Sequence, residues 1–96
     1  MCELKIKNDL VAIINHYGVA KQLDMCIEEC AELIQAISKF KRKESNETVK
    51  NLIEEMADVS IMLSQLSIIF DNDELSKIMG EKVKRQLERI KNESKI

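Results

Sequence analysis

Residues that break regular structure are almost missing from this 96-residue chain, which has no proline and two glycines. An average chain carries about seven glycines and five prolines per hundred residues. A β-sandwich or β-barrel needs turn residues every ~8 to 12 positions, so their scarcity argues against these folds. Aromatic residues, which favour strands, are also scarce at 3%. The abundant residues are helix formers such as Leu, Ile, Glu, Lys and Ala, and we expect a single all-α domain over residues 1–96.

The chain also lacks a strong excess of one charge. Fifteen basic and seventeen acidic residues leave a net charge of −2, which argues against a nucleic-acid polymer as partner. No basic segment followed by an apolar one opens the chain, so no signal peptide is expected. The longest apolar stretch, at 59–70, is interrupted by polar residues and is too short to span a bilayer. We therefore expect a cytoplasmic protein without a membrane partner.

A disulfide framework is missing as well, because the three cysteines, Cys2, Cys26 and Cys30, are an odd number. Cys26 and Cys30 are one helical turn apart, and we expect both to pack as small apolar side chains in a reducing compartment. A metal-binding or redox role is the alternative, although no histidine lies near them in the sequence.

Apolar residues recur at helical spacing along the chain. The pattern predicts helices at about 9–16, 20–43 and 74–92, with a third helix between the turn at 44–46 and residue 70. Gly18 stands where a left-handed cap would end the first helix, and Ser45 or Asn46 can cap the third. The Asp-Asn-Asp segment at 71–73 would end the third helix and cap the fourth.

Each of the three longer helices is expected to turn one apolar stripe inward. These stripes are Leu23, Cys26, Ile27, Cys30, Leu33, Ile34, Ile37 and Phe40, then Val49, Leu52, Ile53, Met56, Val59, Leu63, Leu66 and Phe70, then Leu75, Ile78, Met79, Val83, Leu87 and Ile90. The third helix is apolar outside its stripe too, for example at Ile61 and Ile69. Because a small core stabilises weakly and this second surface must be covered, we expect a homodimer or homotetramer with sites completed across the subunit boundary.

The most informative feature is an internal repeat. The segment Ile-Glu-Glu-Cys-Ala-Glu-Leu at 27–33 returns as Ile-Glu-Glu-Met-Ala-Asp-Val at 53–59, with four positions identical and two conservatively changed. At ~100° per residue, the second and third acidic residues of each copy lie ~60° apart, beside the apolar stripe. The midpoint between the copies falls at the turn near residue 43 or 44, so an antiparallel hairpin brings the two acidic pairs level.

Four converging carboxylates need to be neutralised, because each raises the pKa of its neighbours. Mg²⁺ or Mn²⁺ prefers carboxylate and water oxygens, and no histidine or cysteine belongs to the set to favour zinc. The alternative is a solvated acidic face, which usually has cationic partners one turn away. No lysine or arginine stands three or four residues from any of the four, so the pattern favours a metal site.

Glu-Glu-Cys-Ala-Glu at 28–32 and Glu-Met-Ala-Asp at 55–58 resemble the E-E-x-x-E and E-x-x-D signature of the MazG-like all-α nucleoside triphosphate pyrophosphohydrolases. Relatives of that family include the dimeric dUTPases and the phosphoribosyl-ATP pyrophosphohydrolases. The resemblance covers roughly residues 8–92. It implies an oligomeric antiparallel helical hairpin with flanking helices, similar to a four-helix bundle. It also implies hydrolysis of a (d)NTP between the α- and β-phosphates to a monophosphate and pyrophosphate, a nucleotide-pool housekeeping reaction.

Taken residue by residue, the resemblance implies four Mg²⁺ ligands, with Mn²⁺ as a possible substitute: Glu29, Glu32, Glu55 and Asp58. Glu29 and Glu55 would thereby be catalytic, and Glu28 would support the ligands or orient the attacking water. This assignment fits the chemistry, because phosphoanhydride cleavage needs charge neutralisation and an in-line water more than covalent catalysis.

Substrate contacts are expected from other segments. Lys82 and Arg85 lie three apart on one face of the fourth helix, where similar family members carry phosphate-binding cations; a solvated face is the alternative. His16 and Gln22 precede the first acidic motif and are candidates for the base pocket, although His16 could equally be a surface residue at a helix end. Some family members carry an asparagine where this chain has Gly80, which puts base selection through an asparagine in doubt.

Two other functions stay open from the sequence alone. One is a catalytically silent helical module that binds a protein partner or senses nucleotides, and the other, among enzymes, is phosphoribosyl-ATP hydrolysis. The intact set of four carboxylates favours an enzyme, because a silent module has no physical reason to keep such an arrangement.

Overall fold

The computed structural model describes residues 3–70 and 73–94. Four helices are formed, α1 (Glu3–Tyr17), α2 (Val19–Arg42), α3 (Asn46–Phe70) and α4 (Glu74–Glu93), and the described residues contain no strand. The all-α prediction is confirmed. None of these helices combines the length and the apolar character needed to cross a membrane, as far as the described residues go.

The first helix is longer than the sequence suggested, because it begins at Glu3 rather than near Asp9. No breaker precedes Asp9, and the added turn places Ile6 at an apolar groove. Ile6 lines an apolar groove of about 420 Å³ together with Leu10 of α1, residues of α3 and Leu75 of α4.

Gly18 connects α1 and α2 without any intervening loop. Its N–H donates to the Ile14 carbonyl at 2.8 Å, and its carbonyl accepts the Gln22 N–H at 3.1 Å, so one residue serves both helix ends. The positive φ predicted for Gly18 is confirmed at 89°, but ψ is 154°, which is extended rather than left-handed helical. Only glycine adopts this combination readily, since a Cβ is disfavoured there.

The turn between α2 and α3 is held by a reciprocal cap. Ser45 Oγ accepts the Thr48 N–H at 3.1 Å, and Thr48 Oγ1 accepts the Ser45 N–H at 3.0 Å. This is a capping box with threonine in place of the usual Glu or Gln, and it confirms Ser45 as the cap. Asp73 stands at the predicted N-cap position of α4, but its side chain makes no capping hydrogen bond, and residues 71 and 72 lie outside the described residues.

The core lies where α1 packs across the antiparallel hairpin of α2 and α3. Its buried apolar side chains are Leu10, Ile14, Cys26, Ala36, Val59 and Met62. Two glutamines, Gln22 and Gln65, are buried among them. The expected apolar packing of the cysteines is confirmed for Cys26, Cys30 is half-buried, and Cys2 lies outside the described residues.

The predicted inward stripes of α2 and α3 are wrong in part. Ile27 and Ile34 are 69% and 65% exposed, and Ile53 on α3 is 57% exposed. The physical reason is that both helices are apolar on two sides, and one protomer covers a single side of each. Ala36 and Gln65 therefore occupy the contact that Ile34 and Leu63 were expected to make.

The inward stripe predicted for α4 is also wrong within one protomer, because every residue of this helix is exposed. Contact between α4 and the other three helices is marginal over the described residues. The radius of gyration is 17.0 Å, whereas a compact chain of this length has a value of about 12 Å. The solvent-accessible surface is 7967 Å², compared with about 5,700 Å² for a typical monomer of this mass. The isolated protomer thus leaves apolar surface that a folded monomer normally buries.

Candidate active site

The hairpin brings the two acidic motifs together. Glu29 and Glu32 lie one turn apart on α2, and Glu55 faces them from α3. One carboxylate oxygen from each of these three residues lies within 4.8 Å of the others. Asp58 lies one turn beyond Glu55 and is close enough for its charge to raise the pKa of both Glu29 and Glu55. The level pairing that the repeat predicts is thereby present in the fold.

The cluster lies at the edge of the hairpin contact rather than on an open helix face. Glu29, Glu55 and Asp58 are half-buried, and Glu32 is exposed. The Oε2 atom of Glu55 is buried and has no hydrogen-bond partner among the described residues. An unpartnered buried oxygen costs free energy, so this atom calls for a ligand that the protein chain does not itself provide.

The electrostatics of the cluster are repulsive. Desolvation raises the pKa of Glu29, and the carboxylates of Asp58, Glu32 and Glu55 raise it further. Desolvation likewise raises the pKa of Glu55, followed by the effect of Glu32 and Asp58. Among the described residues, no cation contributes to the raised pKa of either group. The protein therefore holds these groups together at a cost, which protons or a cation can offset.

A hard divalent cation fits these residues. The donors are all carboxylate oxygens, which suit Mg²⁺ or Mn²⁺, and the exposed side at Glu32 leaves room for water and phosphate oxygens. Glu29, Glu32, Glu55 and Asp58 could hold such an ion after small side-chain adjustments. Glu28, the neighbouring candidate, is exposed and lies next to Glu29 in the chain.

A second cavity lies toward the N-terminal end of α2. It has a volume of about 310 Å³ and is lined by Tyr17, Lys21, Gln22 and Met25. Gln22 precedes Glu29 by seven residues, which is two helical turns or ~10 Å along the same helix. His16 does not line this cavity; its ring packs edge-on against Tyr17, with 4.6 Å between centroids. Of the two predicted base-pocket residues, the structure places Gln22 at the cavity.

The structure keeps the predicted phosphate-binding cations apart from the acidic cluster within one protomer. Lys82 and Arg85 line a shallow depression of about 270 Å³ on α4, together with Ile78 and Glu81. Because α4 makes marginal contact with the hairpin, these side chains share a helix face with each other and not with the carboxylates. Gly80 is not in a close contact either, because a Cβ at this position would have no described atom within 4 Å apart from its own helix backbone.

Sequence reasoning missed Gln65, which is 2% exposed and hydrogen-bonds the predicted base-pocket residue Gln22. A signal was present, because Gln65 interrupts the apolar stretch of α3 two turns after Asp58 and therefore lies on the same side of the helix. The partner, however, is 43 residues away in sequence, beyond the range of any local pattern.

The comparison with protein families defines the class to which this chain belongs. The model of the MazG nucleotide pyrophosphohydrolase domain matches residues 19–92, which include both acidic motifs and most of α4. The chain therefore belongs to the MazG nucleotide pyrophosphohydrolase family. The comparisons with curated proteins and with solved structures give no significant match.

Proposed function

We propose that this chain hydrolyses a nucleoside triphosphate between the α- and β-phosphates, with Mg²⁺, to give a nucleoside monophosphate and pyrophosphate. One water molecule is consumed and one phosphoanhydride bond is broken. Family membership supports the reaction class. The observation that carries the proposal for this chain is the buried, unpartnered Oε2 of Glu55 in a cluster of mutually repelling carboxylates.

The roles of the acidic residues follow from their positions. We assign Glu29, Glu32, Glu55 and Asp58 to holding the cation. A divalent ion bound there would neutralise phosphate charge and lower the pKa of an attached water. The exposed Glu28 carboxylate, next to the cluster, accepts a proton from the attacking water and orients it toward the α-phosphorus. This arrangement supplies positioning and charge neutralisation, which are the main requirements of phosphoanhydride cleavage.

The cations expected on the phosphates come from α4 of another subunit in this proposal. Lys82 and Arg85 lie on a helix whose apolar residues are all exposed in the protomer. On α2, Ile27 and Ile34 line an exposed apolar groove of about 670 Å³. In a homodimer or homotetramer, the apolar residues of α4 from one chain can cover the apolar groove on α2 of another, so that neither surface stays exposed. The same contact brings the basic face of one chain toward the acidic cluster of the other.

The base of the nucleotide is assigned to the cavity beside α1. Tyr17 offers an aromatic ring and Gln22 an amide there, two turns from the cluster on the same helix. His16 supports the Tyr17 ring from its edge and is assigned to this subsite through that contact. We assign the substrate class as a (d)NTP. Its base would contact α1 and α2, and its phosphates would contact the cation and α4.

The test is a screen for pyrophosphate release over deoxynucleoside, ribonucleoside and modified triphosphates, with and without Mg²⁺. Glu55→Gln removes a ligand charge at nearly constant volume, and we expect it to lower turnover by at least ~100-fold. Glu47→Gln is the matched control, since Glu47 is an exposed residue in the first turn of the same helix. Glu47→Gln should keep wild-type turnover.

Three outcomes would overturn the proposal. Full activity of Glu55→Gln would remove the metal-site argument. No turnover of any nucleotide by the folded wild-type chain would favour a silent module that binds a protein or senses nucleotides, and turnover of phosphoribosyl-ATP alone would move the chain to that branch of the related enzymes.

A further inference from the structure

The α2–α3 contact contains a buried pair of amides, of which the proposed reaction uses only Gln22. Gln22 is 5% exposed and Gln65 is 2% exposed. Gln22 Nε2 donates to Gln65 Oε1 at 2.8 Å, and the bond joins two helices across 43 residues of sequence. Burying two amides in an apolar contact is unfavourable compared with apolar side chains of similar shape, so the pair calls for a reason.

The position of the pair relates it to the site. Gln22 precedes Glu29 by seven residues on α2, and Gln65 follows Asp58 by seven residues on α3. Because α2 and α3 run antiparallel, seven residues back along α2 and seven residues forward along α3 lead toward the same end of the hairpin. Gln22 and Gln65 therefore lie opposite each other, ~10 Å along the helix axes from the acidic cluster. At that level Gln22 lines the 310 Å³ cavity with Tyr17 and Met25, whereas Gln65 does not reach it.

The hydrogen bond decides what Gln22 offers to the cavity. An amide has two N–H donors and a carbonyl acceptor, and it can present either end after a rotation of about 180°. In the structure Gln65 Oε1 takes one Nε2 hydrogen, so the Gln22 amide keeps its Nε2 end toward Gln65 while this bond is made. The Oε1 atom of Gln22 has no side-chain partner among the described residues and stays available as an acceptor.

We propose that Gln65 is a positioning residue for base recognition: it holds the Gln22 amide in one orientation, so that Gln22 Oε1 accepts an N–H from the nucleobase edge. This inference rests on the proposed nucleotide hydrolysis and deepens it. Gln65 does not touch the substrate and acts through Gln22. Discrimination among bases then depends on a residue on α3 as well as on the cavity itself.

The experiment compares variants of the full chain over the four deoxynucleoside triphosphates with Mg²⁺. Gln65→Met removes the acceptor at similar volume and frees the amide, whereas Gln65→Glu keeps an acceptor for Gln22 Nε2. Gln35→Met is the matched control, because Gln35 is an exposed glutamine on α2. The double variant Gln22→Met with Gln65→Met replaces both partners by apolar groups, a change that is close to neutral for folding, and so guards against instability of the single variant.

We expect Gln65→Met to reduce the ratio of kcat/KM between the best and worst base about threefold to tenfold, the range of one hydrogen bond. The loss should be mostly in KM for the preferred base. Gln65→Glu should keep the wild-type ratio, and the double variant should discriminate no less than Gln22→Met alone. Calorimetric binding of the deoxynucleoside monophosphates without Mg²⁺ should show the same loss of preference.

The inference is overturned if Gln65→Met lowers kcat/KM by one common factor for all bases, as expected for a purely structural residue. It is also overturned if the double variant keeps the wild-type base ratio, or if the wild-type chain hydrolyses all four bases equally. Absence of any wild-type hydrolysis is a different result, because it overturns the proposed function and this inference with it.

Discussion

The carboxylates of Glu29 and Glu55 are held where desolvation and neighbouring negative charge both oppose ionisation. The pKa of each is raised in the folded chain, so the folded chain binds more protons than the unfolded chain as the pH passes between the two pKa values. Stability from these groups is therefore fully present below their unfolded pKa and is lost as the pH rises through their folded pKa. Through this site, the metal-free protein should therefore be less stable at neutral pH than at acidic pH.

This leads to a prediction about pH. In EDTA, the melting temperature of the wild-type chain should fall between about pH 4.5 and pH 7 by more than that of Glu55→Gln, because the variant lacks one raised carboxyl. Thermal unfolding followed by circular dichroism at a series of pH values measures the difference. Parallel pH profiles for the two proteins would contradict the repulsive character of the cluster.

A second prediction concerns the cation. Mg²⁺ at ~100 times its dissociation constant should stabilise the wild-type chain at pH 7 by about 2.7 kcal/mol, because it binds only the folded cluster. For a domain of this size that is a rise in Tm of roughly 10 to 20 °C. Glu55→Gln should lose most of the rise and Glu47→Gln should keep it. An equal rise in all three proteins would mean that Mg²⁺ binds elsewhere.

At the scale of the helices, the level of the two motifs depends on where α2 ends and α3 begins. Ser45 and Thr48 fix that turn through their reciprocal hydrogen bonds. These bonds pair the backbone N–H groups of Ser45 and Thr48, which the start of α3 would otherwise leave without a partner. The turn thereby contributes to holding Glu29 opposite Glu55.

Ser45→Ala should accordingly destabilise the chain by about 1 kcal/mol. Urea unfolding measures the change, and Ser38→Ala is the control, because Ser38 is exposed on α2, away from the cap of α3, at a position where alanine is the better helix former. Equal effects of the two substitutions would contradict the cap. Ser45→Ala should lower the free energy of unfolding while leaving all four proposed metal ligands in the chain.

The helices and the hairpin could be predicted from the sequence because their signals are local or repeat at fixed spacing. Gly18 and Ser45 marked the helix ends, and the repeat placed Glu29 level with Glu55. The buried face of α2 could not be predicted, since Ile27 and Ile34 form an apolar stripe as strong as the one that packs. The contact between Gln22 and Gln65 depends on helix rotation in the hairpin, which no local pattern encodes.

At the scale of the whole molecule, the protomer exposes a large part of its apolar residues. The radius of gyration of 17.0 Å and the surface of 7967 Å² both exceed those of a compact chain of this mass. Much of the excess belongs to α4, where Val83 and Leu87 are 56% and 61% exposed. Another copy of the chain is the simplest partner that covers this surface while completing the site.

We predict that the wild-type chain elutes as a dimer or tetramer in size-exclusion chromatography with light scattering. Val83→Glu combined with Leu87→Glu should shift it toward monomer and lower turnover, because charges replace the apolar side chains that would be buried. Lys84→Gln, an exposed polar position between them, should leave the mass unchanged. A monomeric wild-type chain with full activity would contradict a site shared between subunits.

The central claim is that the four carboxylates of α2 and α3 serve the hydrolysis of a nucleoside triphosphate at the α–β bond. Phosphorus NMR of a triphosphate incubated with the chain tests it most directly, since it identifies both products. We predict monophosphate and pyrophosphate signals that require Mg²⁺ and are lost in Glu55→Gln. A diphosphate with inorganic phosphate, or the same products at the same rate from Glu55→Gln, would contradict the claim.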